Sequence, residues 1–258
     1  MRAKKSLGQN FLTNHAVIDK MIDSLELEKS DVVVEIGPGK GALTKKILER
    51  EIKKVVAIEK DERMIDFLQE NLEKQDNLKL EHLDFLEWEP KEKPYKLIGN
   101  IPFYITGAIL KHVFDNLEHP TAMTLLMQKE VAERMVLRDG KNSILGTAIN
   151  IYSEPKLIAT VKPGSFSPPP KVTSAVITFK NIKNPFKNRG LQEGFFDFLH
   201  KIFAGKRKTV TTNLKKHFST EKILEALAKN NLDSKIRAED MSPQEIFNLF
   251  IGLNPQTN

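Results

Sequence analysis

Residues 32–44 read VVVEIGPGKGALT, and this stretch determines the fold that the sequence predicts. A run of β-branched residues leads into glycines at positions 37, 39 and 41, after which the residues favour a helix. Glycine lets a backbone turn tightly and approach a ligand without interference from a Cβ atom. The spacing E-x-G-x-G-x-G differs from the dinucleotide fingerprint G-x-G-x-x-G, whose third glycine comes one position later. The stretch therefore predicts a strand, a ligand-binding turn that includes Gly37 and Gly39, and a helix.

Strand-like and helix-like segments alternate after this stretch. Strands are predicted at 54–60, 78–86, 96–100 and 121–128, and helices at 62–74 and 105–114. This alternation predicts an α/β fold of Rossmann-like type, with a parallel sheet and helices on both of its faces. We expect strands at 148–161 and 171–179 to complete the sheet, and an amphipathic helix at 16–27 to precede it.

Acidic residues follow two of the predicted strands. Glu59 ends the strand after the glycine turn, and Asp84 follows the next one. In this architecture a carboxylate at the first position accepts both hydroxyls of a ribose, and one at the second position can accept from an adenine amino group. The arrangement predicts a nucleoside-bearing cofactor, either NAD or S-adenosylmethionine. The latter has no phosphate, so it tolerates an acidic residue such as Glu35 before the glycines, whereas no hydride-transfer residues for NAD are identifiable.

The sequence LIGNIPFYIT at 97–106 places Asn100, Ile101, Pro102 and Phe103 where the fourth strand of the sheet ends. Proline cannot continue a sheet ladder, so the strand stops here and its last side chains face the ligand edge. The amide oxygen of Asn100 and a nearby carbonyl, such as that of Ile101, can accept the hydrogens of a base amino group while the base stacks on Phe103. Phe166, in the proline-rich FSPPP loop, is either a second stacking residue or an apolar anchor of that loop.

The last third of the chain differs from the rest. Residues 181–258 contain 13 Lys and Arg against 8 Asp and Glu, which gives most of the net charge of +6. Three helical segments are predicted here, at 194–214, 220–230 and 242–252. We expect a catalytic, cofactor-binding domain at 1–180 and a helical domain at 181–258. The basic turn GKRKT at 205–209 suggests a polyanionic partner, as does the small cluster Arg2, Lys4 and Lys5.

Composition excludes several classes of site. The chain has no cysteine, and its six histidines show no metal-ligand spacing, so no metal site is expected. No segment is apolar for the 18 to 20 residues that a membrane span needs, and the first residues lack the apolar core of a signal peptide. The sequence is therefore interpreted as that of a cytoplasmic protein, with a monomer as the default.

Taken together, the sequence resembles the ribosomal RNA adenine N6-dimethyltransferase family in its small-subunit branch. The resemblance spans nearly the whole chain and is carried by SLGQNFL (6–12), VVEIGPGKGALT (33–44), AIEKD (57–61), HLDFL (82–86), GNIPFYIT (99–106), MQKEVAERM (127–135), FSPPPKVTSAVI (166–177) and FAGKRKTVTTNL (203–214). It implies a class I methyltransferase sheet with a small all-helical C-terminal domain that binds RNA or the ribosome. The implied activity is transfer of two methyl groups from S-adenosylmethionine to each of two adjacent adenosines near the 3′ end of small-subunit rRNA, in the immature subunit.

The resemblance also implies site residues. Cofactor contacts are expected at Asn10, Leu12, Gly37, Glu59, Asp84 and Asn100, and adenine-handling residues at Asn100, Ile101, Pro102, Phe103 and Phe166. One departure concerns the branch: small-subunit enzymes usually have Leu-Pro-Tyr after the asparagine, and Ile-Pro is typical of the large-subunit enzymes that confer macrolide resistance. A large-subunit target therefore remains an alternative, as do a DNA adenine methyltransferase and a ribosome-assembly factor that only binds.

Overall fold

The computed structural model describes residues 8–72, 75–115 and 118–254. The chain divides into two compact units. The first unit comprises Met1–Ala132 and Glu154–Lys183, and the second unit comprises Glu133–Ser153 and Asn184–Asn258. The sequence interpretation placed its boundary at residue 180 and assigned 133–153 to the first domain, whereas in the structure those residues group with the C-terminal helices.

The first unit is built on a seven-stranded sheet. Its strands are β2 (Val32–Ile36), β3 (Lys54–Glu59), β4 (Leu78–His82), β5 (Lys96–Asn100), β6 (Ala122–Gln128), β7 (Glu154–Val161) and β9 (Ser174–Lys180). The strand order is β4-β3-β2-β5-β6-β9-β7, in which the first five strands are parallel and β9 and β7 are antiparallel to their neighbours. This arrangement confirms the predicted α/β class. It also places the ends of β2, β3 and β5 side by side.

Helices and a short two-stranded ribbon accompany the sheet. The helices of this unit are α1 (His15–Asp23), α2 (Ala42–Leu48), α3 (Glu62–Asn71) and α4 (Thr106–Asp115), and α5 (Lys129–Met135) begins in it. Strand β1 (Phe11–Leu12) pairs antiparallel with β8 (Phe166–Ser167). One face of the sheet presents Val33, Ile98 and Leu126 to a core that includes Ile18 and Met21 of α1. Burial of these aliphatic side chains fixes α1 against the sheet.

The second unit is helical. Its helices are α6 (Ile144–Tyr152), α7 (Arg189–Ile202), α8 (Val210–Leu214), α9 (Thr220–Lys229) and α10 (Pro243–Leu253). Phe195 is fully buried, and its ring packs against Phe186, Phe247 and Phe250 with centroid distances of 5.3 to 5.4 Å. Such aromatic packing supplies a large apolar contact area for a small core. None of the described helices combines the length and apolar composition that a membrane span requires.

Two elements predicted from the sequence, at 148–161 and 194–214, were wrong. Residues 148–161 were expected to form one strand, but α6 ends at Tyr152 and only Glu154–Val161 is a strand. The isoleucines of this segment favour a strand by propensity, yet Ser143 caps the helix by accepting from the N–H of Gly146, and one helix face is buried. Tertiary packing thus overrides the local preference.

The predicted single helical segment at 194–214 is interrupted. Helix α7 ends at Ile202 and α8 begins at Val210, after the N-cap Thr209. The side chain of Asn213 donates to the carbonyl oxygens of Ile202 and Gly205, at 2.8 and 3.2 Å, and so fixes the intervening loop. The basic residues 206–208 therefore lie in a held loop rather than on a continuous helix.

An ionisable side chain is buried in strand β2. Glu35 of β2 is 1% exposed, and its Oε2 has no hydrogen-bond partner among the described residues. Burial raises the pKa of Glu35 to about 8; the nearby Thr44 side chain opposes this rise, and the charge of Glu59 adds to it. The protonated form is therefore favoured in the folded protein at neutral pH.

Replacement of Glu35 by glutamine is expected to remove a loss of stability that grows with pH. In the unfolded chain this carboxyl ionises near 4.5, whereas in the folded protein it stays protonated up to about pH 8. The free energy of unfolding therefore falls by about 1.4 kcal/mol for each pH unit between these two values. Above them the loss stays constant. Urea denaturation from pH 5 to 9 should show that the variant exceeds the wild type in free energy of unfolding by an amount that increases up to about pH 8.

Glu62→Gln, on the exposed surface of α3, is the matched control and should leave the pH profile of stability unchanged. A difference between Glu35→Gln and the wild type that is the same at every pH would contradict the assignment.

Candidate active site

The glycine turn after β2 forms the floor of a cavity. Gly37 and Gly39 have φ angles of +62° and +55°, which side chains other than glycine rarely adopt. A Cβ atom on Gly39 would lie 2.9 Å from the ring of Phe11, whereas one on Gly37 would meet nothing within 4 Å. Position 39 therefore needs a glycine because Phe11 of the N-terminal segment lies so close to it. At Gly37 the space beside the backbone is open to the cavity.

The cavity above this turn has a volume of about 490 Å³, within the range of small-molecule sites. Its lining comes from the turn, the ends of β3 and β5, the segment after β4, and residues 8–13. All the predicted cofactor contacts line it, namely Asn10, Leu12, Gly37, Gly39, Glu59, Asp84 and Asn100. The sequence therefore identified residues that the fold brings to one place.

Glu59 holds the turn and remains able to bind a ligand. Its Oε2 accepts from the N–H of Gly39 at 3.1 Å, and its Oε1 accepts from the N–H of Asp61 at 2.9 Å. Burial raises the pKa of Glu59, and these two backbone hydrogen bonds oppose the rise. Each carboxylate oxygen has two acceptor positions, so one on each oxygen is left for the adjacent hydroxyls of a ribose.

Asp84 lies on the same wall, past the end of β4. Its Oδ2 pairs with the Lys60 ammonium at 2.6 Å, and its Oδ1 accepts from the N–H of Leu86 at 3.0 Å. Burial alone would raise the pKa of Asp84, but the hydrogen bonds from Lys60 and Leu86 lower it below its ordinary value. Asp84 is thus an ionised acceptor that can take a further donor such as an exocyclic amine.

Asn100 ends β5 and is held from the N-terminal side. Its Nδ2 donates to the main-chain oxygen of Asn10 at 2.8 Å. This contact assigns the amide orientation and leaves Oδ1 as the atom available to accept a hydrogen bond. The next residue, Ile101, is 1% exposed, and its N–H donates to Leu126 at 3.2 Å. The backbone that carries Asn100 is therefore fixed on both sides.

Phe103 connects this cavity to a second, more open one. It is half-buried and begins the short turn Phe103–Ile105, directly after Pro102. The second cavity, of about 820 Å³, is also lined by residues 8–11, Lys40, Gln128 and 167–172. Gly8, Gln9, Asn10, Phe11, Lys40 and Phe103 line both cavities. The two cavities therefore meet at these six residues, and Asn100 lines the first of them.

Phe166 lies in the hydrophobic core, away from the positions where a side chain could stack on a bound base. It pairs with Leu12 across β1 and β8, is 5% exposed, and belongs to the hydrophobic core together with Leu12. It lines neither cavity, although Ser167 and the prolines after it line the second. This position supports its reading as an anchor of the loop and does not support stacking on a base.

Sequence reasoning missed the part that the N-terminal segment plays in building the site. Phe11 packs its ring on Gly39 and carries the Lys40 ammonium 5.0 Å above the ring centroid. Gln9 donates to the Asp61 carboxylate at 3.0 Å, which ties the same segment to the end of β3. The motif SLGQNFL contained the signal; its Ser6 and Leu7, like Arg2, Lys4 and Lys5, lie outside the described residues. Within the described ranges, no three histidine, aspartate or glutamate side chains form a group that could hold a metal ion.

Comparison with known proteins identifies relatives of the entire chain. The family model for ribosomal RNA adenine dimethylase matches residues 1–254. A ribosomal RNA small subunit methyltransferase A of Mycoplasmopsis pulmonis is 40% identical over 256 residues, which cover 98% of this chain and 100% of that protein. A protein of the same name from Mycoplasma mobile is 37% identical, with coverage of 97% and 98%.

Solved structures of two methyltransferases are similar to this chain over nearly its whole length. A dimethyladenosine transferase from Plasmodium falciparum superposes with a TM-score of 0.85 at 25% identity, covering 95% of this chain and 98% of that one. The 23S rRNA methyltransferase ErmE superposes with a TM-score of 0.80 at 26% identity, covering 95% and 100%. On the match of the family model and the identity to these relatives, the chain belongs to the ribosomal RNA adenine dimethylase family.

Proposed function

We propose that this protein dimethylates N6 of two adjacent adenosines near the 3′ end of small-subunit rRNA, acting as a monomer on the immature subunit in the cytoplasm. The observation that carries the proposal is Asn100, which is held by the main chain of Asn10 with its Oδ1 free and lines a nucleoside-sized cavity that shares Phe103 with a second, more open cavity. An amide acceptor in this position suits a base amino group that enters from one cavity to meet a donor in the other.

As a member of this family the chain is an S-adenosylmethionine-dependent methyltransferase. The residues fit this cofactor: Glu59 offers two acceptor positions for the ribose hydroxyls, and Asp84 offers an acceptor for the adenine amine. The open side of Gly37 would leave room for the methionine part, and Asn10 and Leu12 line the same cavity. When bound, the cofactor supplies a methyl group on a positively charged sulfur, which is a strong electrophile. Glu35 also lines this cavity, and a cationic ligand would favour ionisation of its buried carboxyl group.

The protein's part in the reaction is to shape and orient the amine. The lone pair of an adenine amine is delocalised into the ring, which makes it a weak nucleophile. Hydrogen bonds from its two N–H groups to Asn100 Oδ1 and to the carbonyl of Ile101 draw the nitrogen toward tetrahedral geometry and direct its lone pair at the methyl group. Phe103 supports the ring by stacking. Holding two reactants in line supplies most of the acceleration, and the target base must leave its stack to reach this position.

The small-subunit target is supported by the relatives and by the second unit. The relatives at 34 to 40% identity over at least 95% of the chain carry the name small subunit methyltransferase. In the second unit, Lys206, Arg207, Lys208, Lys215 and Lys216 are exposed, and none of them forms an ion pair with a described residue. Lys206, Arg207 and Lys208 lie in the loop that Asn213 fixes, and unpaired cations held in this way suit contacts with RNA phosphates.

A large-subunit target is the second candidate. It is favoured by the sequence Ile-Pro-Phe after Asn100 and by the close superposition with the 23S rRNA methyltransferase ErmE. The two candidates share the chemistry described above and differ only in the RNA that is bound.

Label mapping decides between the targets. Incubation of the protein with labelled S-adenosylmethionine and with unmethylated small or large subunits should yield dimethyladenosine at two adjacent positions of the small-subunit RNA, close to its 3′ end. Label confined to the large-subunit RNA would transfer the assignment to the second candidate. Label in neither RNA would reject both.

Asn100→Ala is expected to lower methyl transfer by about 10²-fold or more, because it removes a preorganised group that acts on the reacting nitrogen. Binding of S-adenosylhomocysteine, measured by calorimetry, should fall far less, since Glu59 and Asp84 remain. Asn71→Ala, on the exposed end of α3, is the control and should change neither quantity. Equal losses in transfer and in cofactor binding would indicate that Asn100 only shapes the cofactor site.

Replacement of Lys206, Arg207 and Lys208 by alanine should weaken binding to the small subunit and flatten its salt dependence. Each lost phosphate contact is expected to reduce the slope of log affinity against log salt concentration by about 0.7 to 0.9. The control removes the same charge from the same unit, by alanine substitution of Lys222, Lys229 and Lys235. Filter binding between 50 and 300 mM salt compares the two; identical slopes would show that the loop does not touch phosphate.

A further inference from the structure

Gln128 is the last residue of β6, at the same edge of the sheet as Asn100. The register pairs Asn100 of β5 with Leu126 of β6. Side chains alternate between the faces of a sheet, so Gln128 lies on the same face as Leu126 and Asn100. It is two residues farther along, about 6.6 Å beyond the level of Asn100. The fold therefore aligns two carboxamide side chains on adjacent strands, one behind the other.

The surroundings of Gln128 suit a ligand-binding side chain. It is half-buried and lines the second cavity with Phe103 and the prolines at 168–170. Its side-chain amide makes no hydrogen bond to any of the residues that the structure describes. Its backbone is held by pairing with Ser174 of β9, beyond the end of β5. A rigid backbone thus presents an amide with free hydrogen-bonding capacity to the space beside Phe103.

We propose that Gln128 reads the target adenine by donating a hydrogen bond from Nε2 to one of the ring nitrogens that flank the amino group, N1 or N7. The inference rests on the proposed function, since it assumes that an adenine stacks on Phe103 with its amine on Asn100. A carboxamide is well matched to the edges of adenine, and unstacked bases are commonly recognised on their Watson–Crick and Hoogsteen edges.

The contact has a definite role in the reaction. Asn100 and Ile101 hold the amino group and set its orientation, and Phe103 supports the face of the ring, but none of these contacts is made to a ring nitrogen. A hydrogen bond to a flanking ring nitrogen adds a third point of attachment in the plane of the base. It therefore steadies the orientation that Asn100 and Ile101 set, and it favours adenine over a base that carries a proton at that position.

The test uses unmethylated small subunits whose 3′ segment carries adenosine, 1-deazaadenosine or 7-deazaadenosine at the target positions. With the wild type, kcat/KM should fall about tenfold or more on the analogue that lacks the contacted nitrogen. With adenosine as the target, Gln128→Ala should lower kcat/KM by a similar factor. On that analogue the variant should show no further fall in kcat/KM. Gln128→Glu should behave like the alanine variant at neutral pH, because an ionised carboxylate cannot donate.

Two controls isolate the contact from folding and from the cofactor. Gln69→Ala, on the exposed face of α3, should behave like the wild type on all three substrates. Binding of S-adenosylhomocysteine to Gln128→Ala should match the wild type by calorimetry.

Three results would overturn the proposal. The first is that the loss of kcat/KM caused by Gln128→Ala adds fully to the loss caused by each analogue. This would mean that the amide and the ring nitrogen do not contact each other. The second is a wild type that is indifferent to both analogues. The third is a parallel loss of cofactor binding. Failure of the proposed function is distinguished from all three, since the wild type would then form no dimethyladenosine in unmodified small subunits.

Discussion

The site depends on the hydrogen bond that Asn100 donates to the main-chain oxygen of Asn10, at 2.8 Å. An asparagine amide has two chemically different ends, and without a fixed partner it presents either of them. By using Nδ2, this contact leaves the oxygen as the available atom, and only an acceptor serves to hold an amino group. A backbone carbonyl is a dependable partner for this purpose because no side-chain rotation displaces it.

The position of that carbonyl depends in turn on how residues 8–13 are fixed to the first unit. Strand β1 pairs with β8, Phe11 packs on Gly39, and Gln9 donates to Asp61. The segment therefore touches the glycine turn, the end of β3, the end of β5 and the proline-rich loop. Because it lines both cavities, one stretch of chain sets the cofactor wall and the substrate wall together. This explains why Gly39 tolerates no side chain even though its neighbour Gly37 faces open space.

Sequence reasoning succeeded where a local pattern determines the structure. The glycine turn and the proline segment after Asn100 fix backbone geometry by sterics alone, so the ends of β2 and β5 were predicted well. It failed where packing decides. The isoleucine-rich residues of α6 favour a strand, and only burial of one face makes them a helix. Phe166 could not be assigned to the core or to the cavity from its spacing. Sequence reasoning identified Gln128 only as part of MQKEVAERM, because the role proposed for it depends on the register between β5 and β6.

Glu35 and Glu59 are buried acids that line the cofactor cavity, and their burial lowers the stability of the fold in a way that a cationic ligand offsets. Burial raises the pKa of both carboxyl groups, so the folded chain disfavours their charged forms. Such a loss of stability is tolerated at functional sites, where local rules are broken for the sake of a ligand. The sulfonium and ammonium groups of S-adenosylmethionine carry positive charge, and a cation beside a buried acid favours the ionised form. The acids that weaken the unliganded fold therefore strengthen attraction for this cofactor, and the same reasoning predicts weaker retention of a product whose sulfur has become neutral.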